Sequence, residues 1–353
     1  MTSQRSSDYV RFSSTVFAVA TAVSLLFWSA AFPPAAAARN LNLSDVDLAT
    51  CSNGDHECLY AFVDAYLDAL VARDPSRLPV GPDLKFTQND TVLHVGEGLW
   101  RRARAIGSYQ IYAADTKTGE AGFMGVVITD DMASMFALRL RISQHRITEI
   151  ETIVPGKTIA GVLDGRMEKA PAKLVTARPG YRVALKPAER VSRRALRGAA
   201  DSYYDGVEQG DGNIVAFSHK CHRIEDGIPL VNNPNIVFPP MVSESGRKLP
   251  DFAAMGCRRQ FNTRIWSTDS ISDRRYPLID EQYGIVFVYT LYHRFSKGSC
   301  VDLPGHGQAC APRGQDAPAT LALVEAFKIR RGKVHEMESI WSVLPDNRIR
   351  SQW

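Results

Sequence analysis

The carboxy-terminal half of this chain repeats the amino-terminal half, and a repeat of that size limits the fold more than any motif does. Arg141-Ile142 leads to Ile147-Thr148-Glu149-Ile150-Glu151-Thr152-Ile153 and Pro155, and Lys328-Ile329 leads to Val334-His335-Glu336-Met337-Glu338-Ser339-Ile340 and Pro345. Ile142, Glu149, Glu151 and Ile153 recur 187 positions later, and Ile147 is answered by Val334. Upstream, Leu59, Phe62, Val63, Tyr66, Leu67 and Leu70 have the spacing of one helical stripe. Leu196, Ala199, Ala200, Tyr203, Tyr204 and Val207 repeat it 137 positions on, with Asp64, Asp68 and Asp74 matched by Asp201, Asp205 and Asp211. The two offsets differ by 50, so the second copy carries about 50 inserted residues between its helix and its last strand.

The repeat divides 353 residues into a leader over 1–38, a first domain over 51–155, a connector over 156–191 and a second domain over 192–345. Arg5 and Arg11 precede an apolar run from Val16 to Phe32, and Ala36-Ala37-Ala38 offers a cleavage site near Ala38. The expectation is a secreted or periplasmic protein; left uncut, the same run would serve as an anchor. Cysteine usage agrees with export. Six cysteines fall as neighbours, Cys51 with Cys58, Cys221 with Cys257 and Cys300 with Cys310, and an even number in an exported chain favours disulfides. Local pairing is expected because each bridge then closes a loop within one copy. His219-Lys220-Cys221-His222 is the one tight Cys/His cluster, and without a C-x-x-C no metal is expected there. A net charge of +4 gives no reason to invoke nucleic acid, and the connector, rich in Lys and Arg and broken by Pro171, Pro179 and Pro187, reads as solvated.

Each copy reads as a helix followed by long strands. In the first, a helix from Cys58 to Arg73 is capped within Asn53 to Asp55, a short helix spans Leu99 to Arg104, and strands cover Tyr109 to Ala113, Gly122 to Thr129, Ser134 to Ile142 and Arg146 to Val154. In the second, a helix from Ser192 to Gln209 precedes strands near Phe261 to Asp269, Gly284 to Phe295, Thr320 to Arg330 and Lys333 to Val343. The insertions are Pro229 to Met255 and Lys297 to Pro318, long loops of the kind that often serve as lids.

The opening helices, Gly96-Glu97-Gly98-Leu99-Trp100, and the closing strands His145-Arg146-Ile147-Thr148-Glu149-Ile150-Glu151 and Gly332-Lys333-Val334-His335-Glu336-Met337-Glu338 resemble the nuclear transport factor 2-like superfamily, which includes ketosteroid isomerases, scytalone dehydratase and SnoaL-like cyclases. The resemblance covers both copies. It implies an α+β fold of two cone-shaped domains, each an amino-terminal helix packed on a strongly curved antiparallel sheet. It also implies a ligand between helix and sheet, and the copies joined through their sheets as an intramolecular pseudo-dimer.

The chemistry implied is cofactor-free proton transfer on a small hydrophobic molecule, aromatic, polyketide-like or terpenoid. No metal motif, phosphate loop, nucleophile elbow or nucleotide fingerprint competes with it. His293 or His219 is the expected base, with Tyr289 or Tyr203 polarising an oxygen; Tyr289 and His293, four apart on a strand, share a face. Tyr66, His94, Trp100, Tyr109, Tyr112, Tyr204 and Arg258 are the expected ligand contacts, with Glu97, Asp115 and His222 as further polar candidates. Tyr66 and Tyr203 occupy equivalent helix positions, which equally suits core packing. The leading expectation is an exported lyase or isomerase; the rival is a non-catalytic protein that binds a hydrophobic ligand or partner.

Overall fold

The opening helix of each copy starts and stops where its sequence allows. In α1 (His56–Ala72) the Asp55 side chain accepts from the backbone N–H of Glu57, and Arg73 closes the helix in the left-handed region at φ 57°. The computed structural model describes residues 46–51, 54–155, 170–236, 242–243, 249–265, 268–294, 300–310 and 318–353, all within one compact unit, Leu43–Trp353. The expected leader lies outside the described residues.

After α1 come strands β1 (Val80–Gln88), β2 (Thr91–Val92), β3 (Ala103–Asp115), β4 (Glu120–Thr129), β5 (Ala133–Ser143) and β6 (Arg146–Ile153). They form one sheet in the order β2-β1-β6-β5-β4-β3. A short helix, α2 (Pro179–Arg182), precedes α3 (Arg193–Gln209), which Ser192 caps and Gly210 ends at φ 61°. Then follow β7 (Phe217–Glu225), β8 (Ile228–Pro229), β9 (Val242–Ser243), helix α4 (Cys257–Phe261), β10 (Ser270–Asp280), β11 (Ile285–Arg294), β12 (Cys300–Leu303), β13 (Gly307–Cys310), β14 (Ala319–Arg330) and β15 (Lys333–Val343). The second sheet runs β10-β11-β14-β15-β7-β8, the plan of the first. The chain is α+β with two similar sheet domains, and neither sheet closes on itself.

Three expectations need correction. The sheets are mixed, not antiparallel, because β1 and β7 add to β6 and β15 in parallel. Both strands escape a period-two reading: β1 is Val-Gly-Pro-Asp-Leu-Lys-Phe-Thr-Gln, with a proline and little alternation. Phe261 to Asp269 is no strand; Phe261 ends α4, and the strand begins at Ser270. The charged run Asp273-Arg274-Arg275 therefore lies inside β10, where the register shifts between Ser272 and Arg275 and Asp273 takes φ 51°. The expected helix at Leu99 is a single 3-10 turn, Gly98–Arg101.

Strand alternation sends each sheet's residues to two different layers. Phe86, Phe123, Phe136 and Leu138 face α1, whereas Tyr109, Ile111, Met124 and Val126 face the second sheet. In the second copy, Phe217, Val288 and Phe327 face α3 and α4, whereas Phe287, Tyr289, Val324 and Ile340 face the first sheet. The order is helix, sheet, sheet, helix. The contacts across the middle are reciprocal. Ala114 N donates to Asp280 and Ile279 N donates to Asp115. His56 at the start of α1 reaches Asp280, and Arg193 at the start of α3 reaches Asp115. Glu151 binds Arg275 of the second copy, and its counterpart Glu338 accepts from Tyr109 of the first at 2.6 Å. An approximate two-fold relation produces this pattern. Gly122 marks how close the sheets come, since a Cβ there would lie 2.8 Å from Leu278 Cδ1.

The connector is only partly solvated where it is described: Lys173, Val175, Arg182 and Lys186 are exposed, but other residues turn inward. Ala177 and Tyr181 are buried in the layer between the sheets, Tyr181 Oη donates to Ala326 O at 2.8 Å, and Arg178 pairs with Glu336 at 3.2 Å. All three disulfides join sequence neighbours: Cys51–Cys58, Cys221–Cys257 and Cys300–Cys310. The second bridge ties β7 to α4. The two insertions meet in a small sheet, β12-β13-β9. Three disulfides fit an oxidising compartment, and among the described residues no helix is long and apolar enough to cross a membrane.

Candidate functional site: a buried carboxyl beneath the second helix

The strand register places one row of side chains across the second sheet, on the face turned toward α3. Glu225 on β7 pairs with Ser339 on β15, Ser339 with Glu325 on β14, and Glu325 with Val288 on β11. The equivalent row of the first sheet is Gln88, Thr152, Leu138 and Phe123. Glu325 thus occupies the place that Leu138 fills in the first copy with an apolar side chain. The surroundings differ in the same sense. Tyr204, Tyr292 and Arg223 stand where the repeat has Leu67, Val127 and Phe86. The fold is built without these polar groups in one copy, so the fold does not require them in the other.

Glu325 is buried, and burial pushes its carboxyl up to about 8, opposed by the Tyr204 hydroxyl and the Arg223 guanidinium. The Tyr204 and Tyr292 hydroxyls approach the carboxyl, but both hydroxyls and Glu325 Oε2 lack a partner of full hydrogen-bond geometry among the described residues. Thr290 Oγ1, on the same face of β11 as Tyr292, is buried without a partner too. Four such atoms in one region are unusual, since buried polar groups are nearly always satisfied. The two tyrosine hydroxyls are turned toward the Glu325 carboxyl, and Tyr204 and Tyr292 both pull it down against burial.

Arg223 anchors the other side. Its guanidinium bonds Gln260 and Glu225 and lies 5.2 Å from the Phe261 ring and 5.8 Å from the Tyr203 ring. Burial raises the Glu225 carboxyl, and Arg223 draws it back down. Gln260 also donates to Leu230 O and Phe252 O, which fastens α4 over the site. Gln260 and Phe261 turn inward, whereas Arg259 and Asn262 line a surface cleft of about 400 Å³ bounded by Leu303 and His306 of the second insertion. The short helix α4 therefore separates that cleft from the buried carboxyl.

The structure sorts the sequence candidates onto different faces. Tyr203 and Tyr204 lie in the site; Tyr203 makes edge contacts with Phe217, Phe261 and Phe327. His293 and Tyr289 do share a face, but it is the opposite one, against the first sheet. They cannot act with Tyr203 across the thickness of a sheet. His219 and Arg258 are exposed, on β7 and α4 respectively. Cys221, bound to Cys257, is no thiolate ligand beside His219 and His222, and among the described residues no cluster of three metal-binding side chains occurs.

In the first copy, Trp100 Nε1 donates to Tyr66 Oη at 3.1 Å, and Tyr112 Oη donates to Asp64 at 2.7 Å, beside a cluster of buried apolar side chains. Tyr109 belongs to the layer between the sheets, as does Asp115. His94 is exposed, its backbone N–H held by Glu97. Glu325, Arg223, Glu225, Tyr292 and Gln260 were missed by residue reading. The signal that finds them is the repeat itself: aligning the copies shows acid, base and phenol where the first has aliphatic or phenyl groups.

Residues 189–341 match a family model described as "Domain of unknown function (DUF8021)", a span that begins beside the Ser192 cap and ends within β15. No curated protein matches the chain.

Proposed function

We propose that the chain is an exported, cofactor-free lyase or isomerase that moves a proton on a small, largely apolar molecule, and that the second domain is the reactive one. The observation that carries this reading is Glu325: a carboxyl raised to about 8, set among phenols, at a position the first copy fills with Leu138. At neutral pH such a group holds its proton and donates a hydrogen bond to a carbonyl or enolate oxygen. Tyr204 and Tyr292 add donors to the same oxygen. Glu225, ion-paired with Arg223, is the carboxylate placed to take a proton, so the two acids divide the acid and base roles. The rings of Tyr203, Phe217, Phe261 and Phe327 suit an aromatic, polyketide-like or terpenoid skeleton. Displacement of α4 would admit it from the adjoining cleft. Cone-shaped domains of the nuclear transport factor 2-like kind, joined as an intramolecular pseudo-dimer, belong to the same reading, which the reciprocal contacts between sheets support.

A second reading, a non-catalytic binder of hydrophobic molecules, is favoured by the edge contacts among those same rings, which occupy the interior. One experiment separates the two. Cyclic enones and phenols, the latter planar analogues of an enolate, are titrated into the mature protein in deuterated water. Mass spectrometry then follows exchange at the carbon next to the carbonyl. The enzyme reading expects phenol binding and exchange, both lost in Glu325→Gln. Binding without exchange supports the binder, and neither binding nor exchange removes Glu325 as the centre of any site.

A further inference from the structure

The face of the second sheet that meets the first carries a separate cluster at one end of its strands. His293 on β11 pairs directly with Thr320 on β14, and Ser272 on β10 pairs with Leu291, one diagonal step away. Ser272 Oγ lies 2.8 Å from His293 Nε2, and His293 Nδ1 lies 3.2 Å from Thr320 Oγ1. With Nδ1–H donating to Thr320, the lone pair of Nε2 faces the serine hydroxyl. The register shift after Ser272, with Asp273 at φ 51°, sets the angle at which the hydroxyl meets the ring. The imidazole is buried, whereas Ser272 is half-exposed. Burial holds the imidazole below its ordinary value, against the pull of Asp273, and so keeps it neutral.

We propose that Ser272 and His293 form a nucleophile and base pair for acyl transfer from small esters, kept closed by the carboxy-terminal tail. The tail crosses this point. Ile349 O accepts from Ser272 Oγ at 3.0 Å, and Ser351 N donates to Asp273 at 3.0 Å. It is fastened to the first domain by Ser351 Oγ on Asp90 at 2.6 Å, Arg348 on Asp90 O at 2.8 Å and Trp353 Nε1 on Thr87 Oγ1 at 2.9 Å. The serine has one proton, and while Ile349 O or the Asp273 carboxylate at 3.1 Å accepts it, the proton is not delivered to His293. Lifting the tail removes the first competitor and uncovers the hydroxyl. A void of about 10 Å³ lies beside the tail's contact with Asp273, lined by Asp273, Leu291 and Ser351. The Tyr289 hydroxyl, in the same layer, is buried with no hydrogen-bond partner among the described residues.

In the reaction Ser272 Oγ forms a bond to the acyl carbon as its proton passes to His293 Nε2. The bond to the alcohol then breaks and the alcohol leaves with that proton. Water, deprotonated by His293, cleaves the acyl-serine and restores both groups.

The test uses an alkyl fluorophosphonate on the full chain, in which the Oγ–P bond forms as the P–F bond breaks and fluoride departs. Adducts are located by peptide mass spectrometry. The expected result is one adduct at Ser272, abolished by Ser272→Ala, slowed at least tenfold by His293→Gln, and accelerated at least tenfold by Trp353→Ala. Arg348→Ala is the second tail variant should Trp353→Ala fail to fold, with near-ultraviolet circular dichroism as the check. No adduct at Ser272 in folded wild-type and tail-loosened protein overturns the proposal. So does labelling that is indifferent to His293→Gln. Labelling that tail variants do not accelerate retires the closing role of the tail. Glu325→Gln is expected to leave labelling unchanged, which keeps this test separate from the acid–base site.

Discussion

At the scale of single residues, the buried acids set the behaviour that is simplest to measure. Glu325 and Glu338 are each pushed up to about 8 by burial, from an ordinary 4.5. Between those values the unfolded chain has ionised and the folded one has not, so the folded state binds more protons. Each group's contribution is complete below 4.5 and is lost as pH rises to 8, at about 1.4 kcal/mol per pH unit. Glu325→Leu, which copies Leu138, should therefore gain on the wild type steadily from pH 5 to pH 8 in urea denaturation. An unchanged slope would mean that the carboxyl is hydrated. Tyr109→Phe removes the donor to Glu338 and leaves a buried carboxyl without that bond, a loss of about 1–3 kcal/mol. A loss within error in the same assay would place Tyr109 outside the energetics of the interface.

At the scale of elements, α4 is the part whose position is held by side chains more than by its own length. It has five residues, and Gln260 and the Cys221–Cys257 bridge fix it over the site. That bridge spans 36 positions, against 7 for Cys51–Cys58. The longer loop gives up more entropy in the unfolded chain, so replacing both cysteines by serine should cost about 3–4 kcal/mol at Cys221–Cys257 and about 2 kcal/mol at Cys51–Cys58. Thermal denaturation of the two double variants settles the order, and equal losses would show that chain entropy does not govern them. The cap of α3 is a smaller case. Ser192→Ala removes the acceptor for Ala195 N and should cost about 1 kcal/mol, because a first-turn N–H is left to water.

At the scale of the whole molecule, the two domains share one apolar layer, and the connector and the tail both contribute to holding it. At Gly122 the sheets come close enough that Leu278 and Phe287 lie directly against it. Gly122→Val adds methyl groups that neither sheet can accommodate without moving, a cost of about 1–3 kcal/mol. The expected signature in calorimetry is two unfolding transitions in place of one, since each domain keeps its own core around α1 or α3. A single transition at the wild-type temperature would show that the sheets separate freely there.

The repeat, the two opening helices, the long hairpin strands other than β10 and the local cysteine pairs were legible along the chain, because each rests on contacts between near neighbours or on a period the sequence displays. The parallel strands β1 and β7 were not. Each pairs with the last long strand of its own copy, a partner more than fifty residues away, and neither has the alternation that marks a half-buried strand. For the site, Tyr203 and Tyr204 were visible as a helical stripe, but no periodicity says which face of a strand meets a helix and which meets another sheet. That choice put His293 and Tyr289 on one side of β11 and Tyr292 on the other. It also turned Glu325 from one acid among 38 into a buried carboxyl, because only the packed structure removes water from around it and brings its partners near. The sequence by itself determined that one unit is used twice. The tertiary structure decided where the two copies differ in what they bury, since a side chain's charge is written in the sequence while its solvation is set by everything packed against it.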